Sequence, residues 1–176
     1  MFVQSFEALS QFAETILPGD HSMVREVELA EQQPKVYVER YASRLRRRGM
    51  VTPQPGLAFI AFVDGLWERG YLKEISWQEE PQDLVANLQP MIERALPGQF
   101  DWSWLNYAVW EDQPTDLLLR AIGARLYQQG YLLVSIDMDT DTYPVFLVPA
   151  AQWDACRRLA LQAGLSHLEC LVGPDC

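Results

Sequence analysis

The chain has 176 residues, of which 49% are apolar and 22% charged, and a formal net charge of −10. Such a length and apolar share suit one folded domain with a sizeable core and exclude a disordered chain. Residues 1–50 balance seven basic against seven acidic residues, whereas the rest of the chain sets seven basic against seventeen acidic, so no basic groove for nucleic acid is expected.

Phe2, Phe6, Leu9, Phe12, Ile16 and Leu17 recur at helical spacing, and Pro18-Gly19 ends that helix. Asp20 is placed to cap a second helix, with Val24, Val27 and Ala30 or Leu29 inward and Glu26, Glu28 and Glu31 outward. Pro34 opens a third helix whose apolar stripe is Val36, Tyr37, Tyr41 and Leu45. Arg44, Arg46, Arg47 and Arg48 crowd its last turn before Gly49. We read them as answering the negative end of the helix dipole, with a phosphate site as the alternative.

Residues 51–56 (VTPQPG) form a loop and the expected seam between a helical N-terminal subregion, 1–50, and a core, 51–176. The helix that follows is apolar nearly all round until Asp64, as a central buried helix is. Tyr71 to Trp77 is expected to add a short strand. Glu79-Glu80-Pro81 then starts a helix with Leu84, Val85, Leu88 and Ile92 inward and a kink at Pro90. The aromatic-rich stretch from Phe100 to Trp110 fits helix and strand equally by spacing, and its length favours helix. Pro114 opens a further helix with Leu117, Leu118, Ala121, Ile122 and Leu126 on one side.

After Gly130 come two strands around an acidic turn, a helix from Ala150 to Ala163, and a last strand from Ser166 to Val172. The helix is expected to cross back right-handed to the last strand. A Gly follows the helices ending at Arg48, Arg69, Gln129 and Ala163, and an apolar residue follows each Gly. That is the signature of four left-handed helix stops, not of a repeat. The fold class is therefore α+β: a single helix-rich domain with a small three- to four-stranded mixed sheet in its C-terminal half.

Asp137, Asp139 and Asp141 alternate in IDMDTDTYP, so an extended chain would project all three carboxylates to one side. One use is a divalent cation site. The sixth and twelfth positions of a calcium loop starting there are Thr142 and Val148, not Gly and Glu. The other reading is a solvated hairpin tip. Nucleophilic catalysis has little to work with. The histidines are His21 and His167, the cysteines Cys156, Cys170 and Cys176, and no Gly-x-Ser-x-Gly elbow or phosphate loop exists. The cysteines are read as reduced thiols. No run of about 18 apolar residues occurs, so no transmembrane helix is expected. The N-terminus lacks the basic start and apolar block of a signal peptide, which points to the cytoplasm.

Several stretches, in order, resemble an uncharacterised bacterial family, domain-of-unknown-function family 6630. They are Leu17-Pro18-Gly19-Asp20, Leu66-Trp67-Glu68-Arg69-Gly70-Tyr71, Trp77-Gln78-Glu79-Glu80 with Asp83, and Asp139-Thr140-Asp141-Thr142-Tyr143. The resemblance implies a bacterial origin and the cytoplasm. It brings no activity, cofactor or site residue.

The function expected is that of a non-catalytic protein that binds a cationic or polar protein partner, as a toxin-neutralising immunity protein does. Its acidic, aromatic segment would supply Trp102, Trp104, Trp110, Glu111, Asp112 and Asp116. One alternative is a divalent-metal-binding protein or metal-dependent enzyme using Asp137, Asp139 and Asp141. The other is a structural or assembly role, as monomer or homodimer. No nucleic acid, membrane or cofactor other than that cation is expected.

Overall fold

A computed structural model describes residues 6–138, 140–165 and 168–172. They divide into two compact units. A helical unit takes the chain up to Arg69 and regains it from Asp154 to Leu165; a sheet unit takes Gly70–Trp153 and Leu168 to Val172.

The helical unit begins with α1 (Phe6–Ile16), α2 (His21–Gln32), α3 (Pro34–Arg40), α4 (Ala42–Arg47) and α5 (Leu57–Glu68). Asp20 caps α2 as its sequence position implies: one carboxylate oxygen accepts from the amides of Ser22 at 3.0 Å and Met23 at 3.1 Å. The Ser22 hydroxyl bond does most to hold the Asp20 carboxyl below its ordinary 3.8; burial opposes it, and the Met23 amide and Arg69 add to it. The folded state therefore favours the ionised carboxylate. The stability this gives is present above pH 3.8 and is lost as pH falls through the depressed value. Asp20→Ala is expected to cost about 1 kcal/mol in urea unfolding and to remove that acid-dependent part.

The inward face of α2 is Met23, Glu26, Val27 and Ala30. Glu26 thus points in, not out as hydrophobic spacing suggests, because it has cationic partners inside the unit. The single helix expected from Pro34 breaks at Tyr41, whose φ of −108° and ψ of 26° separate α3 from α4. On α5, Leu57, Ala58 and the run Ala61 to Leu66 are buried, as expected of a central helix. Phe62 stacks on Phe12 of α1 with ring centroids 5.1 Å apart. A Cβ at Gly65 would lie 2.5 Å from the Met23 sulfur, so glycine there lets α2 and α5 close on each other.

The sheet unit runs β1 (Leu72–Ser76), α6 (Pro81–Ala95), α7 (Tyr107–Trp110), α8 (Thr115–Gln128), β2 (Tyr131–Ile136) and β3 (Thr142–Pro149). The chain then passes through α9 (Trp153–Gln162), most of which belongs to the helical unit, before β4 (Leu168–Cys170). The class is α+β, with a four-stranded sheet in the order β1-β3-β2-β4. Every neighbouring pair is antiparallel. The expected mixed sheet is corrected in this respect. β3 and β4 do run parallel, but β2 lies between them, so no parallel ladder forms among the described residues.

Gly49, Gly70, Gly130 and Gly164 all have φ between 70° and 84°, which makes them the four left-handed helix stops. On the sheet face that carries Ile75, Leu133 and Val145, α6 and α8 pack through Leu88, Ile92, Leu119 and Ile122. The α8 stripe differs from expectation. Leu117 is 43% exposed, while Leu119 and Gly123 face inward. Gly123 is apolar in effect but invisible to a hydrophobic count; a Cβ there would lie 1.9 Å from the Leu171 carbonyl oxygen.

The Phe100–Trp110 stretch is neither one helix nor a strand. Residues 100–106 are irregular and only α7 is helical. The Asp101 carboxylate accepts from the Ser103 amide and hydroxyl, both at 2.8 Å, and this local turn displaces the helix that periodicity favours.

Candidate functional site

Two places gather polar chemistry, one in each unit. In the helical unit a network of charges is buried. Arg44 on α4 is 4% exposed, and Glu26 on α2 and Asp64 on α5 are 5% and 4% exposed. Arg44 pairs with Glu26, with Glu68 at 2.7 Å and, more loosely, with Asp64 at 3.7 Å. Its guanidinium also donates to the Tyr37 hydroxyl and lies 4.3 Å from the centroid of the Tyr41 ring. Arg48 holds the other Asp64 oxygen at 2.5 Å. Arg69 joins the network to the α2 cap, pairing with Asp20 at 2.9 Å and Glu26 at 3.2 Å.

The energetics of this network are structural. Burial works against the Arg44 charge, but hydrogen bonds and charges from Glu26 and Tyr37 outweigh it and raise the guanidinium's pKa. Burial likewise pushes the Tyr37 phenol up, with Arg44 pulling back only in part. Both shifts favour the protonated form that each group already holds at neutral pH. The four-arginine cluster read from sequence as a helix-end feature is divided by this arrangement. Arg44 and Arg48 turn to buried acids, while Arg46 and Arg47 are exposed, Arg47 lying 4.9 Å from the Trp67 ring centroid.

In the sheet unit the expected site residues are placed as follows. Trp102, Trp104 and Trp110 are half-buried and pack against the unit's core. Phe100 meets Trp102 edge-on at 4.6 Å, and the Arg125 guanidinium lies 4.6 Å from the Trp104 ring. Glu111 and Asp112 are exposed, and Asp116 is half-buried. The three tryptophans thus share their surface between the core and solvent, with Glu111 and Asp112 exposed beside them. Asp137 and Asp141 are exposed at the hairpin tip, and Asp139 lies outside the described residues. Among the described residues no three His, Cys, Asp or Glu side chains are grouped to hold a metal ion.

The surface that sequence reading missed is centred on Trp77, which is 54% exposed. Three segments meet at its backbone. The Trp77 amide donates to the Asp141 carbonyl at 3.3 Å, and the Thr115 hydroxyl donates to the Trp77 carbonyl at 2.7 Å. Glu79 fixes the turn between β1 and α6: its carboxylate accepts from the Ser76 amide at 3.1 Å and from the Asn87 side chain at 2.6 Å. The signal was present in the stretch Trp77-Gln78-Glu79-Glu80, a tryptophan next to polar residues at a strand end, with no apolar neighbour to share its burial.

Among the described residues both cysteines are withdrawn from solvent. Cys156 and Cys170 are buried and form no disulfide, His21 is exposed, and His167 and Cys176 lie outside the described residues. Burial pushes the Cys156 thiol up to about 11. At pH 8 a thiol reagent is expected to label Cys156 only after denaturation, as mass spectrometry of the digested protein would report.

A family model described as "Domain of unknown function (DUF6630)" matches residues 8–169. Among curated proteins and solved structures nothing matches the chain. No described helix is long and apolar enough to cross a membrane. The stretches that carried the resemblance in sequence meet in pairs: Asp20 with Arg69 in the helical unit, and Trp77 with Asp141 in the sheet unit.

Proposed function

The chain belongs to the DUF6630 family, and from its charge distribution we propose that it is a non-catalytic protein-binding module whose sheet unit meets a cationic protein partner. One observation carries this reading: the charge divides along the same line as the fold. Residues 1–69 with 154–166 hold ten acidic and ten basic residues, whereas residues 70–153 with 167–176 hold fourteen acidic and four basic. The whole net charge of −10 therefore falls on the sheet unit. Unit-wide charge of one sign steers an oppositely charged partner and repels phosphate-bearing ones.

The test uses the whole protein as bait beside an unrelated globular protein of similar charge. Retention of a discrete basic protein by the bait alone, released as salt rises past about 0.15 M, is the expected result. If the bait retains only what the control protein retains, the reading fails.

A further inference from the structure

We propose that the exposed Trp77 is the anchor on which a cationic segment of the partner protein docks, presenting a Lys or Arg side chain to the indole. This rests on the reading of the sheet unit as the partner-binding unit and specifies the place and chemistry of that contact.

The first support is the indole itself. Trp77 keeps 54% of its surface in solvent although the same unit packs Trp102, Trp104 and Trp110 against its core. Its backbone is bonded at both its amide and its carbonyl, so the ring projects from a fixed junction. A large, flat side chain held on a rigid backbone gives much contact area for little loss of conformational freedom, which is why tryptophan is enriched at binding hot spots.

The second support is the charge that the junction assembles. The three segments that meet at Trp77 are residues 77–83, 111–118 and 137–143, whose described residues include eight acidic ones and no Lys or Arg, although Asp116 is paired with Arg120 at 4.0 Å just beyond them. Glu79 is used up in fixing the turn, but Glu80, Asp83 and Asp141 are exposed. An exposed aromatic face at a junction of acidic segments suits a guanidinium or ammonium group on two counts: attraction to the ring and attraction to the acids. The same charge excludes nucleic acid and an anionic lipid surface as occupants. A second copy of the chain is the weaker candidate, because its helical unit is neutral overall and its sheet unit would be repelled.

The probe is a short peptide rich in Arg and Lys, titrated at low salt into the protein labelled with nitrogen-15. A Glu-rich peptide of the same length serves as control. The indole N–H signal of Trp77, assigned by its loss in Trp77→Phe, is expected to move along a saturating curve with the basic peptide alone. Trp77→Ala is expected to weaken binding about tenfold or more, whereas Trp77→Phe, which keeps an aromatic face, loses less. Glu93→Gln removes one exposed charge from α6 beyond the three segments and is expected to leave affinity within about twofold. Circular dichroism checks that each variant is folded.

Equal affinity of wild type and Trp77→Ala would overturn the proposal, as would an effect of Glu93→Gln as large as that of Trp77→Ala. Self-association that light scattering detects in the wild type and not in Trp77→Ala would overturn it in favour of a second copy. The natural partner separates this proposal from the reading beneath it. A basic protein retained equally by wild type and Trp77→Ala sinks the Trp77 site and leaves the binding module standing. If the wild type retains no partner, the binding module itself falls.

Discussion

Arg44→Met is expected to lower folding stability by about 3–5 kcal/mol, a large part of the 5–15 kcal/mol typical of a domain. The reason is what the substitution leaves behind. Met fills much of the space of the arginine stem, so the loss of packing is small. Glu26 and Asp64, however, are 5% and 4% exposed, and Arg44 is a cationic partner of both. Without it Glu26 keeps the Arg69 contact at 3.2 Å and a long bond from the Tyr37 hydroxyl at 3.5 Å, and Asp64 keeps the Arg48 contact at 2.5 Å. A carboxylate stripped of one partner in a buried place must find water, be protonated or open the structure, and each course costs stability.

The same reasoning predicts the outcome of removing both members of a pair. Glu26→Gln together with Arg44→Met is expected to cost clearly less than the sum of the two single changes, because no uncompensated charge remains. Arg44→Lys should not rescue the site. A single ammonium cannot reach Glu26, Glu68 and the Tyr37 hydroxyl at once, as the guanidinium does. Urea unfolding reads all four proteins, and a shift in midpoint at constant slope identifies a loss of native stability. An Arg44→Met protein within about 1 kcal/mol of wild type would show that the network is solvated in practice and that the helical unit does not depend on it.

This network also shows why part of the chain was legible in sequence and part was not. Helix stops are local events, so the four Gly positions could be read directly, and so could the Asp20 cap. The unbroken apolar run Val145 to Val148 lies in β3, where Val145, Phe146 and Val148 are buried. Glu26 and Arg44 could not be placed by periodicity. A charged residue scores as outward-facing until its partner, at a separation of 18 residues, is known to stand opposite. Gly123 fails for the opposite reason, since its contribution is the absence of a side chain.

The site proposed at Trp77 was half legible. An acidic C-terminal half was expected, whereas aromatic density pointed to Trp102, Trp104 and Trp110, which are half-buried against the core. Density of aromatic residues reports core more often than interface. Trp77 stands outside that cluster, and what distinguishes it is convergence. Asp141 and Thr115 reach it from 64 and 38 positions further along the chain. No window along the sequence spans such distances.

Gly123→Ala is expected to destabilise the protein by about 3 kcal/mol or more, at the upper end for overpacking a core. The added methyl carbon would lie 1.9 Å from the Leu171 carbonyl oxygen and 2.9 Å from its carbon. Both are backbone atoms, so no rotamer change can relieve the clash. Either α8 moves away from the segment that follows β4, or that segment moves. If α8 moves, it loses contacts of Leu119 and Ile122 in the core that it shares with Leu133. If the segment moves, it gives up the bond from the Leu171 amide to the Leu133 carbonyl at 2.8 Å, and with it the support of an edge strand only three residues long. Gly65→Ala is the comparison that isolates the cause. Its methyl would come within 2.5 Å of the Met23 sulfur, an equally close approach, but to the end of a flexible side chain. Met23 can rotate at a cost of about 1–2 kcal/mol, so the smaller effect is expected there despite the burial of both sites. Urea midpoints would rank the two variants, and amide exchange would locate the damage. Faster exchange at the Leu171 amide and along β4 in Gly123→Ala, with α2 and α5 unaffected, is the expected pattern. The reverse ranking would mean that the α8 packing against Leu171 yields more easily than the α2 packing against α5.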